Sequence, residues 1–207
     1  MRLAMFQKAG DFEAFERVLA ESLTRSDAPR LLAYCLMPNH WHLVVHARDG
    51  TDLSTWMQWV TVTHTHRWHA HHGTSGEGPL YQGRFKSFPV EQDAHFLIVC
   101  RYVEANPLRA GLVDRAEQWR WSSLWARQSG GAALHTRLAK WPVERPRSWL
   151  AAVNRVMPNE QMERVRRSAL RGVPLGTEGW RDRMADRLGL ALTLRPRGRP
   201  PKKKVSG

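Results

Sequence analysis

Apolar residues recur at Phe12, Phe15, Val18, Leu19 and Leu23. That spacing marks one face of a helix and predicts one over 11–24, with Asp11 able to cap its start. The turn Ser26-Asp27-Ala28-Pro29 separates it from an unbroken apolar run, Leu31 to Met37, that reads as a buried strand. Pro38-Asn39 is turn chemistry. His40-Trp41-His42-Leu43-Val44-Val45-His46 then alternates and ends β-branched, so the two runs predict a hairpin. Leu53, Trp56, Met57, Val60, His64 and Trp68 predict a helix over 52–71 that Gly73 stops. After a Gly/Ser-rich loop to Pro79, residues 81–90 read as a third strand with Arg84 and Lys86 on one face. Residues 93–106 predict a helix capped by Asp93 and ended by Pro107, because the residue before a proline disfavours the α region. Trp119, Trp121 and Trp125 read as packing residues, and further helices are expected near 148–156, 159–171 and 178–189. Strands interleaved with helices give an α+β fold, an antiparallel sheet with packed helices.

Charge changes the picture. The chain has 207 residues and a formal net charge of +13, which points to a polyanionic partner, nucleic acid first. The excess is uneven. Residues 1–141 carry 16 Lys+Arg against 13 Asp+Glu, a net of +3, while residues 142–207 carry 16 against 6, a net of +10. The basic region is therefore C-terminal, where a plain solubilising tail is the alternative reading. No stretch approaches the roughly 18–20 apolar residues of a membrane span, and the N-terminus lacks the features of a signal peptide. Two cysteines, Cys35 and Cys100, are too few for a disulfide framework, so a cytoplasmic, nucleoid-associated setting is expected.

Two groups of residues carry candidate chemistry. His40 and His42 are i and i+2 on a strand, so both imidazoles project to one side and can form half of a divalent-metal site; ordinary surface or core histidines have the same spacing. Tyr102 and Asn106 lie four apart on the helix 93–106 and so share one face, one turn apart. A packed tyrosine and a helix-ending asparagine would look alike. The run His64-Thr65-His66-Arg67-Trp68-His69-Ala70-His71-His72 falls at a helix C-terminus, where histidines complement the dipole. His40-x-His42-x-x-x-His46 also loosely resembles a histidine-triad nucleotide hydrolase, although His46 lies about 13 Å along the strand from His42 at a rise of ~3.3 Å per residue.

Three blocks, in order, carry a family resemblance: Tyr34-Cys35-Leu36-Met37-Pro38-Asn39-His40-Trp41-His42-Leu43-Val44, Tyr81-Gln82-Gly83-Arg84-Phe85-Lys86-Ser87, and Arg101-Tyr102-Val103-Glu104-Ala105-Asn106-Pro107-Leu108-Arg109-Ala110-Gly111-Leu112-Val113. Together they resemble the HUH transposases of the one-tyrosine, single-strand type, and within them the REP-associated tyrosine transposases, which act on palindromic hairpin elements. The resemblance spans about residues 6–127. It implies a ferredoxin-like HUH nuclease core, His40, His42 and Asn106 as ligands of Mg²⁺ or Mn²⁺, and Tyr102 as the nucleophile that cuts single-stranded, hairpin-containing DNA. The product would be a 5′-phosphotyrosine with a free 3′-OH, which a second 3′-OH can rejoin. Monomers and homodimers both fit the resemblance. Arg84 and Lys86 are expected on DNA phosphates.

Relatives usually carry an opening strand before the first helix; here the chain starts almost at that helix, and the strand is expected to be absent or abbreviated. Its loss would leave unpaired backbone groups and keeps open the alternative of a catalytically inactive or decayed hairpin-binding protein. The expected division is a catalytic domain over 1–127, a linker over 128–141, a helical DNA-binding extension over 142–190 and a basic, disordered tail over 191–207. In that tail Arg197, Arg199, Lys202 and Lys203 resemble an AT-hook suited to an A·T minor groove.

Overall fold

The computed structural model describes residues 5–47, 52–131 and 134–195. The AT-hook-like residues Arg197, Arg199, Lys202 and Lys203 lie outside that range.

Helix α1 (Ala9–Ser22) buries Phe12, Phe15, Val18 and Leu19, the predicted face. It begins two residues before Asp11. Asp11 therefore caps from within the first turn, its carboxylate accepting from the backbone N–H of Gln7 (2.8 Å) and Lys8 (3.1 Å). Strand β1 (Arg30–Met37) is buried at every position but the first. It pairs antiparallel with β2 (His40–His46) across the Pro38-Asn39 turn, which sets Met37 opposite His40 and Cys35 opposite His42. A register shift between Leu31 and Ala33 breaks the alternation near the start of β1.

Helix α2 (Leu53–His72) starts on the Asp52 carboxylate and ends at Gly73, whose φ of 66° suits glycine. With α1 it covers one face of the hairpin, in a core of Phe12, Phe15, Leu19, Tyr34, Leu36, Trp56 and Val60. The other face holds Cys35, Met37 and Val44 beneath α3 (Ala94–Glu104), with Phe96, Val99, Cys100 and Val103.

Two expectations fail here. Residues 81–89 are irregular and only Val90 makes a bridge, to Leu175, so Arg84 and Lys86 sit on an exposed loop and share no strand face. A stretch with two glycyl and prolyl interruptions, Gly83 and Pro89, offers a neighbouring strand too few side chains and donors. The long helix also does not reach Asn106. It ends at Glu104, Ala105 turns the backbone at ψ 0°, and Asn106 opens a separate short helix, α4 (Asn106–Arg109), that accommodates Pro107 in its first turn. The same proline thus starts a helix as it stops the previous one.

The outer edge of β1 is not left open. Leu36 N–H donates to Trp121 O (2.9 Å) and Ala139 N–H to Leu31 O (2.8 Å). The Trp119 and Trp141 indoles donate to Leu36 O and Leu32 O, both at 2.8 Å, and Arg127 adds a second donor to Leu32 O. These backbone groups of β1 are satisfied from α5 (Ser123–Ser129) and the chain on either side of it, in part by indoles placed as strand substitutes.

Residues 142–195 add α6 (Trp149–Asn154), α7 (Asn159–Arg171), α8 (Glu178–Arg187) and α9 (Ala191–Leu194). Helices α6 and α7 pack on α3, through Trp149, Val153 and Val165. Glu104, fully buried at the end of α3, accepts from Ser123 Oγ (2.6 Å) and from the Trp149 indole (2.7 Å), and tethers α5 and α6 to it. No helix among the described residues is long and apolar enough to cross a membrane.

Candidate active site

The hairpin turn and the break after α3 bring the predicted residues together. Because β2 alternates, His40 and His42 leave the same face while Trp41 turns into the opposite core. Their ring centroids are 4.9 Å apart, and the His42 centroid is 5.9 Å from that of Tyr102, edge to face. Asn106 Nδ2 lies 3.5 Å from His40 Nε2. The two residues predicted to share a helix converge across the Ala105 break instead.

Burial pushes the pKa of His42 down to about 3, with His40 and the Arg109 cation adding to the effect. Its imidazole is neutral at pH 7, the form that binds metals. His40 Nδ1 is 2.7 Å from Asn39 Oδ1, which orients the ring with Nε2 towards Asn106, as an oxygen on the far nitrogen does for a metal-binding histidine. Two imidazoles and an amide fit a divalent cation with open positions. The amide itself is turned: its Oδ1 accepts from Arg109 (2.9 Å) and its nitrogen faces His40, so oxygen ligation requires the amide to turn over and Arg109 to let go.

Two arginines not assigned from the sequence complete the site. Arg109 sits seven residues after Tyr102 and three after Asn106. Its guanidinium lies over the Tyr102 ring at 4.1 Å and donates to Tyr102 O (2.9 Å), which caps the end of α3 and holds the phenol ring at once. Helical spacing within the third block could have found it. Arg166, on α7, donates to Glu163 (2.8 Å), and that carboxylate first, with the Tyr102 phenol, raises its pKa. It lies beyond the segment of family resemblance, and no sequence signal marked it.

A groove of about 1080 Å³ leads to His40 and His42. It runs between α2 and the 79–86 loop and is lined by Trp41, Tyr81, Arg84 and Lys86 among others. Both loop cations are exposed there. The histidine run at the end of α2 is accounted for locally. His64 is buried against Tyr81, His69 Nδ1 lies 2.7 Å from Thr74 Oγ1, and His72 Nε2 pairs with Asp11 (3.1 Å). Asp11, His71 and His72 cluster closely enough to hold a cation, as do Glu91, Asp93 and His95, but Asp93 and His95 already form the start of α3 and Arg164 lies 3.2 Å from His95 Nε2. His46 pairs with Arg30 at the far end of the hairpin.

Comparison with known families makes the chain a DNA transposase, a DNA-acting enzyme of a typically divalent-metal-dependent kind. It belongs to the IS200-like transposases, whose family model (Transposase IS200 like) matches residues 1–106. No curated protein and no solved structure matches the chain.

Proposed function

We propose that this transposase cuts and rejoins single-stranded, hairpin-bearing DNA of the REP type, with Tyr102 as nucleophile and Mg²⁺ or Mn²⁺ held by His40, His42 and Asn106. The observation that carries this reading is the meeting of Tyr102 and Asn106 with both imidazoles on one side of the hairpin. When bound, the cation would polarise the scissile phosphate as a Lewis acid. The remaining work falls to the chain. Arg109 fixes the phenol, and Asn39 orients His40. Arg84 and Lys86 lead the phosphate backbone along the groove towards the histidines. A phosphodiester exchanged for a 5′-phosphotyrosine keeps its bond energy, so a second 3′-OH can reverse the step.

On this reading residues 1–127 form a ferredoxin-like HUH catalytic unit. Residues 142–190 extend its DNA contacts and 191–207 add a basic arm. The test is a single-stranded oligonucleotide bearing one palindromic hairpin from the DNA flanking the coding sequence. With Mn²⁺ or Mg²⁺ it should give a covalent adduct that survives denaturing gels and disappears with EDTA. Tyr102→Phe should abolish the adduct; equal yield in that variant removes Tyr102 from the chemistry.

A further inference from the structure

One guanidinium touches both halves of the site. Arg109, at the end of α4, lies over the Tyr102 ring at 4.1 Å and donates through one terminal nitrogen to Tyr102 O (2.9 Å). Its other terminal nitrogen donates to Asn106 Oδ1, also at 2.9 Å. An arginine has donors and no acceptor, so it dictates which end of the Asn106 amide faces it. The oxygen turns to Arg109, and Nδ2 is left facing His40 Nε2 at 3.5 Å. On the far side of that ring Asn39 Oδ1 accepts from Nδ1 at 2.7 Å, which puts the ring proton on Nδ1 and the lone pair on Nε2. Asn106 therefore points an N–H, not its oxygen, at the lone pair a metal would use.

We propose that Arg109 is a positioning residue that latches the site: it holds the Tyr102 ring for attack and, with the same guanidinium, withholds the Asn106 oxygen from the cation. The proposal rests on the reading above, in which His40, His42 and Asn106 are the ligands. Turning the amide over brings Nδ2 to the place that Oδ1 leaves, and two donors then face each other. Arg109 must give up that bond, and its released N–H, beside the ligands, passes to water or to a phosphate oxygen. Breaking a charge-assisted bond of this kind weakens metal binding. The hold on Tyr102 is made elsewhere, by the ring face and the main-chain oxygen, and survives the turn. Removing Arg109 therefore pushes two properties of the site in opposite directions: tighter metal binding and slower chemistry.

The backbone that carries Arg109 is anchored without it. Pro107 is buried and Leu108 packs against the core beneath α3. The turn is closed by Ala110 N–H to Asn106 O and Leu112 N–H to Pro107 O, both at 3.0 Å. Arg109→Met keeps an apolar stem to cover the Tyr102 ring and drops both donors, so it opens the latch without emptying the space. Arg109→Lys keeps the charge near His42 but replaces the planar fork with a point donor. Arg109 lies just beyond the matched segment, residues 1–106, in the third block of the family resemblance.

The experiment uses the full-length wild type, Arg109→Met, Arg109→Lys, Asn106→Ala and the Arg109→Met/Asn106→Ala pair, with urea midpoints confirming that each is folded. Mn²⁺ is titrated without DNA and free ion is read by electron paramagnetic resonance. Arg109→Met should bind Mn²⁺ about fivefold or more tightly than wild type, and Arg109→Lys should move the same way by a smaller factor. If Arg109→Met does not fold, the lysine variant carries the same reading. Asn106→Ala should bind about tenfold or more weakly, and in its background the gain from Arg109→Met should shrink to under about twofold, because no oxygen is left to release. At saturating Mn²⁺ the single-turnover adduct rate on the hairpin oligonucleotide should fall about tenfold or more in Arg109→Met. General loosening of the site would lower affinity and rate together. Unchanged or weaker Mn²⁺ binding in both Arg109 variants overturns the proposal, as does an undiminished rate in Arg109→Met. A gain equally large without Asn106 also overturns it, since that gain is only relief of repulsion between two cations. Wild-type affinity in Asn106→Ala, or a wild type that forms no adduct, brings down the reading above and this proposal with it. An active wild type that needs Asn106 for Mn²⁺, with Arg109 variants of unaltered affinity, brings down this proposal alone.

Discussion

The hairpin carries a tyrosine–histidine pair on each of its faces, and the two pairs are built for opposite ends. On the α1/α2 face, His64 is 1% exposed, packed against Phe6 and Phe15, with Nδ1 2.6 Å from the Tyr81 hydroxyl. The Trp41 indole donates to the same hydroxyl at 3.3 Å. Burial takes the His64 pKa down to about 4 and pushes the Tyr81 phenol well above its ordinary value. On the α3 face, burial also drives His42 down, but its neighbours are a second imidazole, an amide and a phenol lying under the Arg109 guanidinium. Desolvation alone therefore does not mark a site, since it acts on both histidines. What separates them is convergence. One imidazole meets aromatic rings and a single hydroxyl, the other meets an imidazole, an amide and a phenol under a guanidinium, groups whose chemistry suits a metal and a phosphate. A tyrosine is a nucleophile only where the charge of its oxygen can be borne, and among the described residues no cation hydrogen-bonds the Tyr81 hydroxyl, whose partners are Trp41 and His64.

The comparison breaks first at the phenols. Tyr102→Phe should remove adduct formation entirely, while Tyr81→Phe should leave it within about threefold of wild type, because Phe keeps the packing and loses only hydrogen bonds worth about 1 kcal/mol each. If instead Tyr81→Phe is the inactive variant, the faces have been assigned the wrong way round. Next come the imidazoles. His42→Ala should cost at least about 100-fold in Mn²⁺-dependent adduct rate, more than the 10–100-fold typical of an outer-shell partner, and Asn39→Ala should fall in that lower range. His64→Ala should act the other way, leaving the metal dependence alone and lowering stability by about 3–5 kcal/mol, as aromatic truncations in cores do. Urea midpoints alongside metal titrations of the same three variants separate the two effects.

Much of the α3-face site was legible because strand alternation and helical spacing are local. His40 and His42 had to leave one face of β2, and the apolar runs placed both strands and five of the longer helices within a few residues. The errors share a cause. Residues 81–90 have β-prone side chains but are broken by Gly83 and Pro89, and the outer edge of β1 is taken by Trp121 and Ala139 backbone and by two indoles. That competition lies some forty residues away in sequence. Pro107 correctly marked the end of a helix, yet nothing local said that the chain would restart at Asn106. The electrostatic influence of Arg166 on Tyr102 was illegible for a stronger reason. It exists only once α7 docks on α3, and in the sequence Arg166 is one of several cations on a basic amphipathic helix.

The smallest expected effect is on acid stability, and it isolates the dry pair. The His64 pKa of about 4 in the folded chain lies below the ~6.5 of an exposed histidine. Between those values the unfolded chain holds a proton that the folded chain refuses, so stability rises with pH through this window. The contribution is complete above about pH 6.5 and is lost as pH falls towards 4, a change of roughly 3–4 kcal/mol at 1.36 kcal/mol per pKa unit. His42 acts with the same sign. Glu16, buried beneath the Tyr34 hydroxyl, and Glu104 have raised pKa values. Above the unfolded carboxylate value of ~4.5 they hold protons the unfolded chain has released, and so favour folding in acid. They partly mask the histidines in the wild type. His64→Gln can keep a hydrogen bond to Tyr81 but cannot titrate, so its urea midpoint should fall less than that of the wild type between pH 6.5 and 4.5. Glu16→Gln should fall more steeply than the wild type over the same range. Parallel curves for wild type and His64→Gln would mean that His64 is protonated in the folded chain, and the contrast between a dry imidazole and a ligating one would lose its physical basis.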